Sequence, residues 1–571
     1  MRILTVLLLL VLLPAPALPA DQTARALERE LARIAGSRDA PGVVLVVAAQ
    51  GEVRFAGAAG QADRQARRPF TADLPLPLGE LTRAFTAALA LNLAAAGEVD
   101  LDAPVSTWLA ADELDFDPAT VSLRDLLSHQ SGLPPARLRG MYREPDEEPR
   151  EDAALSPSDF YHALPPGNLV STSALGYVLA GRVLERAAGR EYGALLRERL
   201  LDPLGMRATA FVDEVALPPS HRRGRPQPGL IARDRAAVGL ASTAADLGRW
   251  LAALTAPDSP LAGRDALFEV QSRKAVLNFD EDMGLGFSLA HSAIEGTGRV
   301  AFAFSGYPGY RAQLRIAVDH GVAVLAMSNG RDAYGPLSEL VDKAFDRMLA
   351  RDPRAVEQAR RDRERVPERV DWPPSATRVP VASRYATPFG IVSIRAAASG
   401  FDAEVFGRGF SARERDDGWL QVRYRLFGVI PLAFSVLNRV LVAPAEVAGE
   451  HVLLGWFQGR VLLLGSHFET PPLPGAAEAL AGEWVLESPD PLVEQLEIRS
   501  ARIAVEDGLL TLGYELPFVL TLRPRLALGM DSAGHLRLLG IGPNLGERIR
   551  VGRDELGDFL EYSGYRLRRA P

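Results

Sequence analysis

Apolar residues recur at helical spacing from Thr23 to Ala35, and two β-rich runs follow, Val43 to Val47 and Val53 to Ala56, on either side of Gln50-Gly51. This pattern predicts a helix feeding a hairpin. A long helical pattern then runs from about Gly79 through Ala96 and closes at Gly97, and others cover Leu123 to Leu127, Ala174 to Ala188 and Ala244 to Leu254. Beyond Arg299 the period returns to two, with Gln313 to Val318 and Val322 to Met327 flanking Asp319-His320-Gly321, before a last helix from about Leu337 to Leu349. Helix, strands, helices, strands, helix is the order of one mixed α/β domain.

Between Arg351 and Pro380 the chain turns densely charged and then proline-rich at Trp372-Pro373-Pro374-Ser375, the composition of an interdomain linker. Past it, the short β-rich runs Leu420 to Tyr424, Val452 to Trp456, Val461 to Leu464 and Phe518 to Leu522 are spaced by Gly, Pro and Asp turns. An all-β region of one or two small barrels is expected, without a sequence repeat between its halves. The apolar stretch Val429 to Val442 carries Asn438 and Arg439 and is too short for a membrane span, so it reads as a buried strand pair. The predicted organisation is a signal peptide (1–20), an α/β domain (21–350), a linker (351–380) and two β-rich domains (381–475 and 476–571).

With 571 residues, 47% of them hydrophobic and 24% charged, the chain has globular composition and is long enough for several cores. A net charge of -8 without a basic stripe sets nucleic acid aside as a partner. Met1-Arg2, the apolar run Ile3 to Leu13 and the small residues up to Ala20 have the layout of a secretory signal, with no stable transmembrane anchor once it is removed. The absence of cysteine excludes disulfides, thiol catalysis and thiolate metal sites. An exported, periplasmic location is expected.

The segment Leu78-Gly79-Glu80-Leu81-Thr82-Arg83, continuing to Ala96-Gly97-Glu98-Val99-Asp100-Leu101-Asp102-Ala103-Pro104-Val105, resembles the serine β-lactamase-related family of class C β-lactamases, penicillin-binding proteins, D,D-peptidases and esterases. Leu126-Leu127-Ser128-His129-Gln130-Ser131-Gly132-Leu133, Pro203-Leu204-Gly205-Met206 and Ala241-Ser242-Thr243-Ala244-Ala245-Asp246-Leu247 match it in the same order. The resemblance covers residues 24 to 350 and implies a β-lactamase/transpeptidase-like α/β (α+β) fold, a helical subdomain beside an antiparallel sheet built from both ends of the domain. It also implies a nucleophilic serine at the start of a buried helix and a lysine one turn later. This chain has Glu80 and Arg83 there. Guanidinium stays protonated and cannot act as a base. At the second motif, a tyrosine and an asparagine two residues on, the chain has Thr172 and Ala174; at the third, His or Lys then Ser or Thr then Gly, it has Phe304-Ser305-Gly306.

Only two lysines occur, Lys274 and Lys343, and no Ser-x-x-Lys or Gly-x-Ser-x-Gly exists anywhere. Glu80 and Arg83, three apart at a helix start, are expected to form an ion pair at the base of the old active site; the sharper alternative makes Glu80 a general base or nucleophile. His129 belongs to helix packing, and His162, His221, His291, His320, His451, His467 and His535 are isolated, so neither metal nor other cofactor is assigned. Asp146-Glu147-Glu148 reads as a solvated loop. The expectation is a pseudoenzyme, a non-catalytic binding or scaffolding protein of the cell envelope, whose cleft or C-terminal β-domains bind a cell-envelope ligand such as an extended peptide, or a protein partner. In the cleft, apolar or neutral extended ligands are favoured because Phe304 and Ala174 would line the wall. The rivals are a hydrolase using Glu80 and a structural module plugged by Phe304 and the Glu80-Arg83 pair.

Overall fold

The structure is a computed structural model that describes residues 20–570, apart from 273–276, 278, 280–281, 291–296, 398–399, 406–407, 427–429, 432–438, 474, 476, 497–498, 515–523 and 543–544. Most of the expected signal peptide, Lys274, His291, the run Phe518 to Leu522 and much of Val429 to Val442 lie outside the described residues.

Strand Gly42–Ala49 explains how the first domain is layered. Its residues are all buried, because alternate side chains enter two different cores. Val44, Val46 and Ala48 face a core shared with the helices Thr82–Ala95 and Ala244–Thr255, while Val43, Leu45 and Val47 face the helices Ala20–Ile34 and Tyr334–Met348. A strand covered on both faces reads as a continuous apolar run rather than an alternation. Gly42–Ala49 pairs antiparallel with Val322–Ser328 on one side and with Glu52–Asp63 on the other, so both ends of the domain share one sheet. The hairpin turns at Gln50-Gly51, both with positive φ (54° and 80°), which matches the twist of the flanking strands. The sheet has eight antiparallel strands, and its outward succession from Val322–Ser328 runs through Arg311–Ala317 and Val300–Ser305 to Ser288–Ala290 and Asp282–Met283.

The C-terminal region is β-rich and contains two closed eight-stranded barrels. The first closes where Leu420–Leu426 pairs with Leu441–Val447, the second where Gly482–Leu486 pairs with Tyr565–Arg569. Closure removes the exposed strand edges that short sheets otherwise carry. Trp484, fully buried, fills the interior of the second barrel, while Tyr385, Ile394 and Leu453 pack inside the first and Trp419, also fully buried, packs with Val370 and Trp372 on its outer face.

The segment 351–380 holds more structure than bare linker. Helix Pro353–Glu364 carries a polar, mostly exposed surface, and Glu364 pairs with Arg439 at 3.0 Å. Val370 is buried against the first barrel, and the Trp372 indole N–H donates to the Asp417 carbonyl at 2.9 Å. The second barrel reaches the helical subdomain: the Arg548 amide donates to the Tyr161 hydroxyl (2.8 Å), and Arg537 donates to the carbonyls of His162 and Ala163 (3.0 Å each).

Candidate active site and its replaced residues

The site forms where helix Thr82–Ala95 starts beside strand Val300–Ser305. Gly79 makes the approach close: its φ is +52°, and a Cβ there would stand 2.4 Å from Ser305 Oγ. Only glycine fits both demands. The Ser305 hydroxyl lies 2.6 Å from the Leu78 carbonyl and 2.9 Å from Glu80 Oε2, so its single proton is shared between two acceptors. The Gly306 amide donates to the same Glu80 oxygen at 2.7 Å.

The ion pair expected between Glu80 and Arg83 is not formed. Among the described residues, no carboxylate lies within 4.0 Å of Arg83, and its buried Nε has no hydrogen-bond partner. Strand donors at fixed positions hold the carboxylate through charge-assisted hydrogen bonds, leaving the guanidinium 5.8 Å from the Tyr177 ring centre. Sequence spacing placed the two charges on neighbouring positions but carried no information about the competing strand.

The wall around Arg83 answers to its charge. Burial first, and then the Arg83 charge, holds the His129 imidazole well below its ordinary pKa. His129 is therefore neutral, and its Nδ1 accepts from the Ser173 amide at 3.1 Å. Burial, followed by the negative charge of Glu80, pushes the Tyr142 phenol up, and Tyr177 is raised by burial despite Arg83. Tyr142 stands edge-on to Tyr307, at a ring distance of 5.2 Å. No motif marked Tyr142 in the sequence; the sheet pairing of Tyr142–Arg143 with Ile231–Ala232 places it.

The other motif positions diverge. Thr172 is exposed, and Ala174 is buried at the start of its helix with its amide donating to the Pro135 carbonyl. Ser173 between them caps that helix, accepting from the Gly176 amide at 3.0 Å. Phe304 does not line the cleft beside Glu80. Successive strand residues point to opposite faces, so with Ser305 directed at Glu80, Phe304 turns the other way and packs against Tyr334 (5.6 Å between ring centres). The reading of Phe304 as a wall or plug is corrected accordingly. Lys343 sits on an outer helix, paired with Glu30 and Glu339. Among the described residues, no group of three His, Asp or Glu side chains is placed to hold a metal ion, and no helix is long and apolar enough to cross a membrane.

Comparison with known proteins agrees with the architecture. The chain is 34% identical over 205 residues to esterase EstB of Burkholderia gladioli, covering 33% of this chain and 52% of that protein. It is 31% identical over 179 residues to penicillin-binding protein 4 of Amycolatopsis lactamdurans (31% and 46%), and 26% identical over 335 residues to a D-aminopeptidase of Cereibacter sphaeroides (56% and 63%). The matches thus span about half to under two thirds of these relatives. Among solved structures, that of SurE superposes with a TM-score of 0.54 at 22% identity, over 78% of this chain and 98% of that one, a likeness of fold. The family profile described as Beta-lactamase matches residues 24–344, more than half of the chain, and the protein belongs to the beta-lactamase family.

Proposed function

We propose that this chain is a non-hydrolytic member of its family, acting outside the cytoplasm and binding an extended cell-envelope ligand in the cleft without turnover. The observation that carries this reading is the capture of the Glu80 carboxylate by Ser305 and Gly306. Two strand donors already occupy that carboxylate oxygen, so it is engaged with the strand rather than presented to a substrate. The one cation a helical turn away is a guanidinium that accepts no proton, and no lysine of the described residues is near it.

The expected ligand changes with the geometry. With Phe304 turned away and Arg83 unpaired by any described carboxylate, the cleft favours an extended ligand with an anionic end, rather than the apolar or neutral one suggested by the sequence. A second reading, hydrolysis with Glu80 as base, is favoured by the names of the relatives, which are an esterase and a D-aminopeptidase. Intact-protein mass spectrometry after incubation with a fluorescent penicillin and a fluorophosphonate separates the two, alongside turnover assays with a chromogenic cephalosporin and p-nitrophenyl esters. The expected result is no adduct and no turnover above a Glu80→Ala control. An adduct on a defined serine, or turnover abolished by Glu80→Ala, overturns the proposal.

A further inference from the structure

A second site, sharing no residue with the Glu80 and Arg83 pair, is built from arginine. A hollow of about 450 Å³ is lined by Arg38, Arg222, Arg223, Arg225 and Gln227. Arg64 and Arg67 lie on the turn after strand Glu52–Asp63, Arg68 begins the strand that pairs back on Asp63, and the Arg64 guanidinium reaches the hairpin turn at Gly224. We propose that this hollow binds a multiply charged, phosphate-bearing anion.

Several independent features point there. Much of the arginine in this protein is held by carboxylates, as Arg186 is by Glu113 and Arg568 by Asp554. Around the hollow this changes. Among the described residues, no carboxylate lies within 4.0 Å of Arg38, Arg64, Arg67, Arg68, Arg223 or Arg225. The nearest acid on the same turn, Asp63, uses Oδ1 to accept from the amides of Gln65 and Ala66 (2.8 and 3.0 Å). Arg38, Arg64, Arg223 and Arg225, close together with Asp63 as the nearby acid and with no ion-paired carboxylate among the described residues, repel one another and attract a polyvalent anion.

The backbone adds a second argument. The hairpin Ser220–Arg222 and Arg225–Gln227 turns at Arg223-Gly224, with φ of +51° and +79°. Such a turn favours Asn-Gly, and a long side chain in the left-handed region is disfavoured locally. The turn sets the Arg223 side chain at the tip of the hairpin, beside the hollow that it lines. The turn also packs under its neighbours: a Cβ on Gly224 would stand 3.5 Å from Arg64 Nη1 and 3.9 Å from Arg38 Cγ.

The strand beside the hollow is held by hydrogen bonds. His221, buried, receives the Arg64 amide on Nε2 (3.3 Å) and donates its own amide to the Asn329 carbonyl (2.7 Å). The Arg64 side chain is tied to the Gly36 carbonyl at 2.9 Å. Several planar, fork-shaped donors around one hollow match the tetrahedral, polyanionic phosphate group better than a single carboxylate.

The test is calorimetric titration of the full-length protein with pyrophosphate at low ionic strength, with citrate as the carboxylate control. Co-sedimentation with phosphatidylcholine vesicles, with and without phosphatidylglycerol, runs beside it. Saturable binding of pyrophosphate points to a soluble phosphate, and binding only to the phosphatidylglycerol vesicles points to a headgroup; both support the site. The variant combining Arg38→Gln, Arg223→Asn and Arg225→Gln is expected to weaken binding about tenfold or more and to lessen its salt dependence, since three phosphate-facing charges are gone. Asparagine keeps the positive φ of position 223 accessible, and circular dichroism checks the fold. Should that variant misfold, Arg38→Lys with Arg225→Lys keeps the charge and is expected to weaken binding about threefold through loss of the guanidinium fork. Unchanged affinity in the variant that folds, citrate binding as tightly as pyrophosphate, or no binding to either pyrophosphate or anionic vesicles overturns the proposal.

Discussion

If strand Val300–Ser305, rather than Arg83, holds Glu80, a pair of double-mutant cycles will show it. The perturbations are Glu80→Gln, Ser305→Ala and Arg83→Ala, singly and combined. A hydrogen bond to a charged acceptor contributes about 1.5 to 3 kcal/mol when desolvated, and because Glu80 is only half-buried the coupling to Ser305 should fall to about 1 to 2 kcal/mol. Arg83, with no contact to Glu80 within 4.0 Å, retains only a screened attraction across one helical turn, under about 0.7 kcal/mol. In a multidomain chain a single unfolding free energy is poorly defined, so the readout is local: hydrogen exchange of the Gly306 amide, which donates directly to Glu80 Oε2. A coupling of about 1.4 kcal/mol corresponds to roughly tenfold in the opening constant. Faster exchange from both Glu80→Gln and Ser305→Ala, with little further effect in the double variant, is expected. Coupling to Arg83 as strong as the coupling to Ser305 would refute the argument and restore the ion pair.

Three further outcomes are expected. The Glu547 carboxyl, buried in the second barrel beside the Tyr562 hydroxyl (2.9 Å), is pushed up to about 7 by burial. Its folded pKa lies above the ordinary 4.5, so the folded state holds the extra proton and stability falls as pH rises from about 4.5 to 7, by about 3 kcal/mol in all, then levels off. Glu547→Gln should flatten the midpoint of the barrel transition across that window, and an unchanged pH slope would exclude Glu547 as its source. Gly79→Ala should destabilise the first domain by about 2 kcal/mol or more, since the new Cβ meets Ser305 Oγ and the backbone is left-handed; a thermal midpoint within a degree of wild type would contradict that. Limited proteolysis should nick the exposed helix Pro353–Glu364 and spare Val370 to Trp372, the two pieces staying associated through contacts such as Arg548 with Tyr161 until denaturant is added; first cleavage beyond Val370 would show the packing against the barrel to be wrong.

The elements legible in the sequence were those with strong local period. The helix Ala174–Ala188 coincides with its pattern, bounded by Ser173 as cap and Gly189 at φ +64°. The hairpin at Gln50-Gly51 follows from turn chemistry alone. The site was less legible, because its geometry depends on contacts distant in sequence. Glu80 and Ser305 are 225 positions apart, and only the fold brings the carboxylate to the hydroxyl. The direction of Phe304 was decided by strand alternation once Ser305 was fixed, a parity that the motif did not reveal. The segment 351–380 looked like linker by composition, yet its apolar members Val370 and Trp372 found a barrel surface to cover.

The replaced residues also account for one another sterically. A glutamate is longer than a serine by one methylene and a carboxyl group, so from the same helix start its charge reaches beyond the serine position and lands on the strand. There it meets the Ser305 hydroxyl and the Gly306 amide. An arginine in place of lysine is longer and planar, and with Glu80 occupied elsewhere it lies against Tyr177 and adds to the burial that keeps His129 neutral. Restoring serine alone would therefore leave the site without a base, and restoring lysine alone would leave it without a nucleophile. The variant combining Glu80→Ser with Arg83→Lys frees the Gly306 amide and supplies both groups, yet Thr172 and Ala174 still lack the phenol and the amide that the family's second motif provides. The double variant should therefore form a slow covalent adduct with a fluorophosphonate while showing no turnover of p-nitrophenyl esters. Labelling absent from it would mean that the helix start no longer presents a side chain to the cleft, and brisk ester turnover would mean that Glu80 and Arg83 were the only chemical barrier.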